Sequence, residues 1–279
     1  MPTFTTPAGT SLSYEVAGPD GADPVVFVHG IMGAASTWHD IAADLSTDHR
    51  TYAIDQRGHG ASTKGGPYSA TAFADDLIAF LEGVVGEPAV LVGHSLGGVV
   101  SAETTMRRPE LVRRALLEDP PMFIADSVGD ELDSSPFSVA FSMMLANLHA
   151  RREAGASLDD YIADVGRMPA LNGQSGTMAD ILGLEGSRRE AQAKMDFDPA
   201  CLEAAMADGL ADHDPTRPMA VPALVLRADV FAAFRPEDEA AFLAANPGAT
   251  VEVVPGASHL IHDEQPKAFT ARLRQFLAS

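Results

Sequence analysis

The sequence lacks several features that mark specialised proteins. It has one cysteine, Cys201, so no disulfide can form within the chain. No stretch approaches the roughly 18 apolar residues of a membrane-spanning helix, and the N-terminus lacks the basic region and apolar core of a secretory signal. A chain of 279 residues with 46% hydrophobic residues can bury a large core without disulfides. We therefore expect a globular, cytoplasmic protein.

Basic residues are also scarce. The chain has 19 Lys and Arg against 39 Asp and Glu, a formal net charge of −20, and no basic cluster exceeds a pair such as Arg107-Arg108. Nucleic-acid binders carry basic patches, and an anionic membrane surface repels a chain of this charge. We therefore expect no nucleic-acid or membrane partner, and a small neutral or apolar molecule as substrate. The oligomeric state stays open, with a homodimer as one alternative.

Motifs for metal ions and nicotinamide cofactors are missing as well. There is no H-E-x-x-H and no Cys/His pairing of zinc spacing, and no G-x-G-x-x-G opens a helix after the first buried strand. We therefore predict neither a metal nor a cofactor. One acidic cluster, Asp212-His213-Asp214, is expected to be solvated.

Strand-like and helix-like patterns alternate along most of the chain. This alternation predicts the α/β class, a mostly parallel sheet with helices on both faces. Residues 120–217 contain helical patterns but no good strand, so we predict a core domain of residues 1–119 and 218–279 and a helical cap (lid) domain of residues 120–217. The predicted strands are residues 3–5, 11–16, 24–28, 51–55, 89–92, 115–117, 223–226 and 250–254.

Gly93-His94-Ser95-Leu96-Gly97 stands between a predicted strand and a predicted helix. This is the context in which a G-x-S-x-G turn presents a nucleophilic serine, because the glycines permit a tight turn and close helix–strand packing. Ser95 is therefore the candidate nucleophile. The amide of Leu96, at the start of the helix, points toward the place where an oxyanion would form.

On the basis of this turn, the chain resembles the α/β-hydrolase superfamily, in particular its capped serine esterases and lactonases. The resemblance also rests on His29-Gly30, on Asp55-Gln56-Arg57-Gly58-His59-Gly60-Ala61-Ser62 and on Pro255-Gly256-Ala257-Ser258-His259. It implies a helical cap inserted after the sixth strand and a triad in the order serine, acid, histidine. It also implies that Ile31 supplies the second oxyanion amide.

His259 is the candidate general base. A serine hydroxyl needs a base with a pKa near 7, and of the nine histidines only His259 lies in the loop after the last strand, where the triad order requires it. His29 is expected to hold the loop of residues 29–32, which carries Ile31 and is called the oxyanion loop below. His94 is expected to shape the pocket or to bind nearby backbone. His262 is expected to be exposed or to cap a helix.

The acid of the triad is ambiguous in the sequence. The commonest family position, after the strand 223–226, is occupied by Phe231, and Asp229 lies two residues too early. Some superfamily members place the acid after the preceding strand, where this chain has Glu118 and Asp119. We favour Asp119 as the catalytic acid, with Asp229 and Glu118 as alternatives.

The predicted function is hydrolysis of a carboxylic ester or lactone of a small, largely apolar substrate through an acyl-enzyme intermediate. Met122 and Phe123 are the candidate substrate-binding residues, because they follow the strand end that carries the acid. Three alternatives stay open: carbon–carbon bond hydrolysis, cofactor-free perhydrolase or oxygenase chemistry with the same triad, and a ligand-binding receptor on a hydrolase fold.

Overall fold

The fold is built around one eight-stranded sheet. The computed structural model describes residues 1–123, 136–173, 175–208 and 210–279, without the side chains of residues 136–138 and 208. All eight predicted strands are present, most of them one to four residues longer than predicted. They are β1 (Thr3–Thr5), β2 (Ser11–Ala17), β3 (Pro24–Val28), β4 (Arg50–Ile54), β5 (Ala89–His94), β6 (Val112–Glu118), β7 (Ala223–Ala228) and β8 (Ala249–Val254).

The strand order is β1-β2-β4-β3-β5-β6-β7-β8. The strands β3 to β8 are mutually parallel, whereas β1 and β2 are antiparallel additions at one edge. The prediction of a mostly parallel α/β sheet is therefore confirmed. Because parallel strands end at the same edge, residues that follow β5, β6 and β8 can meet although they are far apart in sequence.

Helices cover both faces of the sheet, and four helices lie among the described residues between β6 and β7. None of the described helices is long and apolar enough to cross a membrane. The domain boundaries predicted at residues 120 and 217 stay a prediction. The helices are α1 (His39–Leu45), α2 (Ala70–Phe80), α3 (Leu96–Arg107), α4 (Pro136–Glu153), α5 (Leu158–Val165), α6 (Met178–Asp196), α7 (Pro199–Asp208), α8 (Asp238–Ala245), α9 (Ile261–Glu264) and α10 (Pro266–Ala278).

Two hydrophobic clusters hold the layers together, one on each side of the sheet. In β3, Val26 and Val28 belong to the cluster under α2 and α3, while Val25 and Phe27 belong to the cluster under α1 and α10. All four side chains are fully buried. This alternation follows from the two-residue period of a strand, so an uninterrupted apolar run indicates a strand covered on both faces.

The cluster Asp212-His213-Asp214 is only partly solvated. Asp212 and Asp214 are exposed, as predicted, although the Asp212 carboxylate accepts hydrogen bonds from the amides of Ala70 and Thr71 at the start of α2. The expectation was wrong for His213, which is buried. Its Nδ1 lies 3.1 Å from Oε2 of Glu103, a buried carboxylate of α3. The pairing compensates for the loss of water around both polar groups.

Candidate active site

Ser95 lies at the turn between β5 and α3, at the carboxyl edge of the sheet. Its backbone is in the left-handed region, with φ 51° and ψ −119°. Such a conformation costs a non-glycine residue about 1–3 kcal/mol and persists only where surrounding contacts enforce it. The Ser95 amide donates to the carbonyl of Glu118 at the end of β6 (2.9 Å), and the Ser95 carbonyl accepts from the amide of Gly98 (2.8 Å). These bonds fix the position of the side chain.

The two glycines that flank Ser95 permit the close approach of α3 to the sheet. A Cβ atom on Gly93 would lie 2.2 Å from the carbonyl oxygen of Gly97, and one on Gly97 would lie 2.1 Å from the carbonyl oxygen of Val28. Both distances are far inside van der Waals contact with backbone atoms, which cannot rotate away. The glycines are therefore required by the packing of the turn and not only by its dihedral angles.

Asp119 follows β6 directly and is completely buried. Its Oδ2 atom lies 2.7 Å from Nδ1 of His259. The same carboxylate accepts hydrogen bonds from three backbone amides, those of Ala228 (3.2 Å), Ala233 (2.7 Å) and Phe234 (3.3 Å). Charge-assisted bonds of this kind stabilise an ionised carboxylate away from water. The carboxylate can thus hold an imidazole in one orientation and tautomer.

The two alternative acids have other partners. Asp229 is exposed and accepts a hydrogen bond from the amide of Gly256 (2.9 Å). Glu118 is fully buried, and both of its carboxylate oxygens lie 2.9 Å from Nδ1 of His262. Of the three candidate acids, Asp119 is therefore the one that the structure places on His259. Its catalytic role stays a prediction.

His94 links the serine turn to the loop that carries His259. Its Nε2 lies 2.9 Å from the carbonyl oxygen of His259, so this nitrogen carries the hydrogen and donates. The two rings have centroids 4.7 Å apart. Burial keeps the pKa of His94 well below its ordinary value, and the neighbouring histidines His259 and His262 lower it further. His94 is thus a neutral donor that brings the His259 loop against the residue next to Ser95.

The expectation that His262 is exposed or caps a helix was wrong. The imidazole is buried between the ring of Trp38, 4.6 Å away, and the carboxylate of Glu118. Burial alone lowers the pKa of His262, but Glu118 and Asp263 outweigh it and raise the pKa to about 9. The sequence shows only two adjacent carboxylates and two histidines spaced three residues apart, which does not specify that Glu118 pairs with His262.

Two neutral histidines organise the backbone around Ile31, the predicted second oxyanion residue. His29 donates from Nδ1 to the carbonyl of Gly30 (2.7 Å) and accepts at Nε2 from the amide of Gln56 (3.1 Å). His59 accepts at Nε2 from the amide of Met32 (3.2 Å). Burial lowers the pKa of both imidazoles. The prediction that His29 ties down this loop agrees with these contacts, whereas the contribution of Gln56 was missed.

Leu96 is the first residue of α3, where an amide has no carbonyl partner within its own helix. Its N–H group is therefore not used within the helix and can donate a hydrogen bond to an oxyanion. Since it adjoins Ser95 directly, it is available to a carbonyl attacked by that side chain.

The predicted substrate-binding residues Met122 and Phe123 are buried, with 2% and 7% of their surface exposed. Both belong to the hydrophobic cluster that contains Leu96 and residues of α4 and α5. A cavity of about 530 Å³ is lined by Lys64, Tyr161 and Phe197 among others, and Tyr161 and Phe197 belong to the same hydrophobic cluster. The ring centroid of Phe197 lies 4.8 Å from that of His59, which accepts a hydrogen bond from the amide of Met32, the residue after Ile31.

One group of described side chains has a composition that could hold a metal ion: ligand atoms of His94, Glu118 and His262 lie within 4.8 Å of one another. The same polar groups are used in contacts within the protein. His94 donates to the carbonyl of His259, and His262 is paired with Glu118. These contacts join the group to the segment that carries His259.

Comparisons with known proteins agree with this architecture. A 2-(acetamidomethylene)succinate hydrolase of Mesorhizobium japonicum is 28% identical over 92% of this chain and 89% of its own length. An sn-1-specific diacylglycerol lipase, ABHD11 of Danio rerio, is 26% identical over 98% of this chain and 84% of its own. The enol-lactonase from Burkholderia xenovorans superposes over the full length of both chains with a TM-score of 0.74 at 22% identity.

A family model covers residues 25–273, from β3 into α10. That span includes Ser95, Asp119 and His259 together with the whole interval between β6 and β7. The chain therefore belongs to the alpha/beta hydrolase family.

Proposed function

We propose that this protein is a serine hydrolase that cleaves a carboxylic ester or lactone through an acyl-enzyme intermediate. The observation that carries the proposal is the 2.7 Å contact between Asp119 and His259 at the sheet edge where Ser95 occupies its strained turn. The names of relatives and structural neighbours, which include a lipase and an enol-lactonase, support ester chemistry.

In the first half-reaction, Ser95 Oγ attacks the substrate carbonyl while His259 Nε2 takes its proton. The ionised Asp119 stabilises the imidazolium that forms, because its Oδ2 atom already accepts from Nδ1. The amides of Ile31 and Leu96 bind the oxyanion of the tetrahedral intermediate. His259 then returns the proton to the leaving alkoxide, and the acyl group stays on Ser95.

In the second half-reaction, water takes the place of the alcohol. His259 removes a proton from the water, which attacks the acyl-enzyme carbonyl, and the same two amides hold the second oxyanion. Collapse of this intermediate returns the proton to Ser95 and releases the acid. For a lactone, acid and alcohol leave as one molecule, because the ring joins them.

The substrate is proposed to be small and largely apolar, with Met122 and Phe123 contributing to its binding. Both side chains lie three to four residues beyond Asp119, and their cluster includes Leu96 beside the nucleophile. The net charge of −20 disfavours polyanionic substrates. The protein is proposed to work without a cofactor or metal.

The test is hydrolysis of a panel of aryl esters of increasing acyl length and of lactones of increasing ring size, measured with wild type and Ser95→Ala. We expect Ser95→Ala to lose on the order of 10⁶ in kcat, because the members of such a triad act as a unit. Ser46→Ala serves as the matched control, since this serine is partly exposed and its hydroxyl donates to the carbonyl of Ala43, away from the sheet edge that carries Ser95. Equal turnover by wild type and Ser95→Ala would refute the proposed function.

A further inference from the structure

We propose that Glu118 and His262 form a second histidine–carboxylate pair whose task is to position the base His259. They are positioning residues, since neither is placed to touch the substrate. The proposal rests on the proposed function, because it assigns His259 the role of base. It goes further in giving a catalytic consequence to a pair that lies outside the triad.

The geometry consists of two pairs that run side by side. Glu118 and Asp119 are consecutive at the end of β6, and each carboxylate binds one of two histidines from the same short segment. Asp119 binds His259 at 2.7 Å, and Glu118 binds Nδ1 of His262 at 2.9 Å with each oxygen. Glu118 Oε1 also accepts from the backbone amide of His262 (2.9 Å). The second pair therefore holds both the side chain and the main chain of its histidine.

The base is consequently anchored from both directions along the chain. Before His259, the carbonyl of Ala257 accepts from the amides of Asp229 (3.0 Å) and Val230 (3.1 Å), which follow β7. After His259, the bonds between His262 and Glu118 tie the chain to β6. Without the bonds between His262 and Glu118, the chain that follows His259 is no longer tied to β6. The imidazole of His259 is then positioned by fewer hydrogen bonds.

His94 transmits the position of His262 to His259. Its ring centroid lies 4.9 Å from that of His262 and 4.7 Å from that of His259, and its Nε2 donates to the carbonyl of His259. On the opposite side, Trp38 lies 4.6 Å from His262. All these side chains are buried, so a displacement of His262 has to be absorbed by its packed neighbours.

A positioning role predicts an effect on turnover. A displacement of about 1 Å in a reacting group can cost on the order of 10²-fold in rate. A pair that only stabilised the fold would change the fraction of folded protein and its melting temperature. It would leave the turnover of each folded molecule unchanged.

The experiment compares Glu118→Ala and His262→Ala with wild type. A fluorophosphonate, applied until labelling reaches its plateau so that slowly reacting serines are included, counts the serines in each preparation, and kcat is expressed per labelled serine. We expect both variants to lose about 10- to 100-fold in kcat, with KM within threefold of wild type. His262→Asn is expected to recover part of the loss, because its side-chain amide can donate near the position of Nδ1.

His213→Ala is the matched control. It breaks the other buried histidine–carboxylate pair, His213 with Glu103, which has no contact with the His259 segment among the described residues. We expect it to lower the melting temperature while kcat per labelled serine stays within twofold of wild type.

The proposal is overturned if kcat per labelled serine stays within threefold of wild type when the Glu118–His262 pair is broken. If the alanine variants do not fold, Glu118→Leu and His262→Leu, which fill similar space but cannot form the bond between the two side chains, are judged by the same threshold. Wild type that hydrolyses no ester or lactone would instead overturn the proposed function, and the positioning role with it. The two failures are distinguishable because only the second affects wild type.

Discussion

At the scale of single residues, backbone strain is concentrated at the proposed site. Among the described residues, five that are not glycine have φ in the left-handed region, and three of them are Met32 (64°), Ser95 (51°) and Asp119 (43°). They belong to the oxyanion loop, the nucleophile turn and the acid. Strain of this kind recurs at functional sites, because the reaction requires a particular side-chain position even where the backbone dihedral angles are unfavourable.

Replacing the acid tests the assignment of Asp119 directly. Asp119→Asn keeps the shape of the side chain but removes the charge that stabilises the His259 imidazolium and selects its tautomer. We expect kcat to fall about 10⁴-fold, measured on the best ester of the panel. Asp229→Asn is the control, because that exposed carboxylate bonds only to the amide of Gly256 among the described contacts of its side chain. A large loss in Asp229→Asn with normal Asp119→Asn would reverse the assignment.

The raised pKa of His262 predicts a dependence of stability on pH. The pKa is about 9 in the folded protein, where the ring faces Glu118, Asp263 and His94, and about 6.5 when the chain is unfolded. The folded state therefore binds the proton more tightly. The resulting stabilisation is complete below pH 6.5 and is lost as the pH rises through about 9.

Thermal unfolding measured between pH 6.5 and 9.5 checks this. We expect the melting temperature of wild type to fall across the range, and that of His262→Asn to fall less, because the variant has no imidazolium to lose. Parallel curves for the two proteins would contradict the charged state assigned to His262.

At the scale of elements, all eight strands could be predicted from the sequence, because most are short runs rich in apolar residues, and because β1 and β2 flank the turn-forming residues Pro7-Ala8-Gly9. The acid was harder, because two strand ends offered carboxylates and the sequence does not specify which of them faces the base loop. Asp119 reaches His259 because β6 and β8 end at the same edge of the sheet, with only β7 between them, and because the amides of Ala228, Ala233 and Phe234, at the end of β7 and beyond it, bind the Asp119 carboxylate. These are tertiary contacts with no local signature.

The packing of α3 against the sheet gives a further prediction. Gly97→Ala would place a methyl group 2.1 Å from the carbonyl oxygen of Val28 and 2.6 Å from that of His29. We expect this variant to lose about 1–3 kcal/mol in the free energy of unfolding and to lose activity, since the overlap pushes Ser95 and the oxyanion loop apart.

Gly248→Ala is the comparison, because a Cβ atom at this exposed glycine has no other atom within 4 Å. We expect its free energy of unfolding to stay within about 0.5 kcal/mol of wild type. Urea denaturation of both variants provides the measurement. Equal stability of Gly97→Ala and wild type would show that the helix can move away from the sheet without cost.

At the scale of the whole molecule, the parallel sheet brings together the serine turn and the segment of His259, which are joined by a hydrogen bond between His94 and His259, 165 positions apart. Each follows a strand that ends at the same edge, so the sheet topology, and not the local sequence, determines that they are neighbours. The fold and the candidate residues Ser95 and His259 were therefore accessible from motifs and strand order. The pairing of His262 with Glu118 was not, because it depends on how the segment after His259 packs against Trp38.

The most direct test of the central claim is the labelling of the intact protein with a fluorophosphonate, followed by mass spectrometry of the peptides. We expect one phosphonyl group per chain, on Ser95, and a strongly reduced rate of labelling in His259→Ala. A chain that takes up no label, carries it on another residue, or is labelled equally fast without His259 would contradict the account.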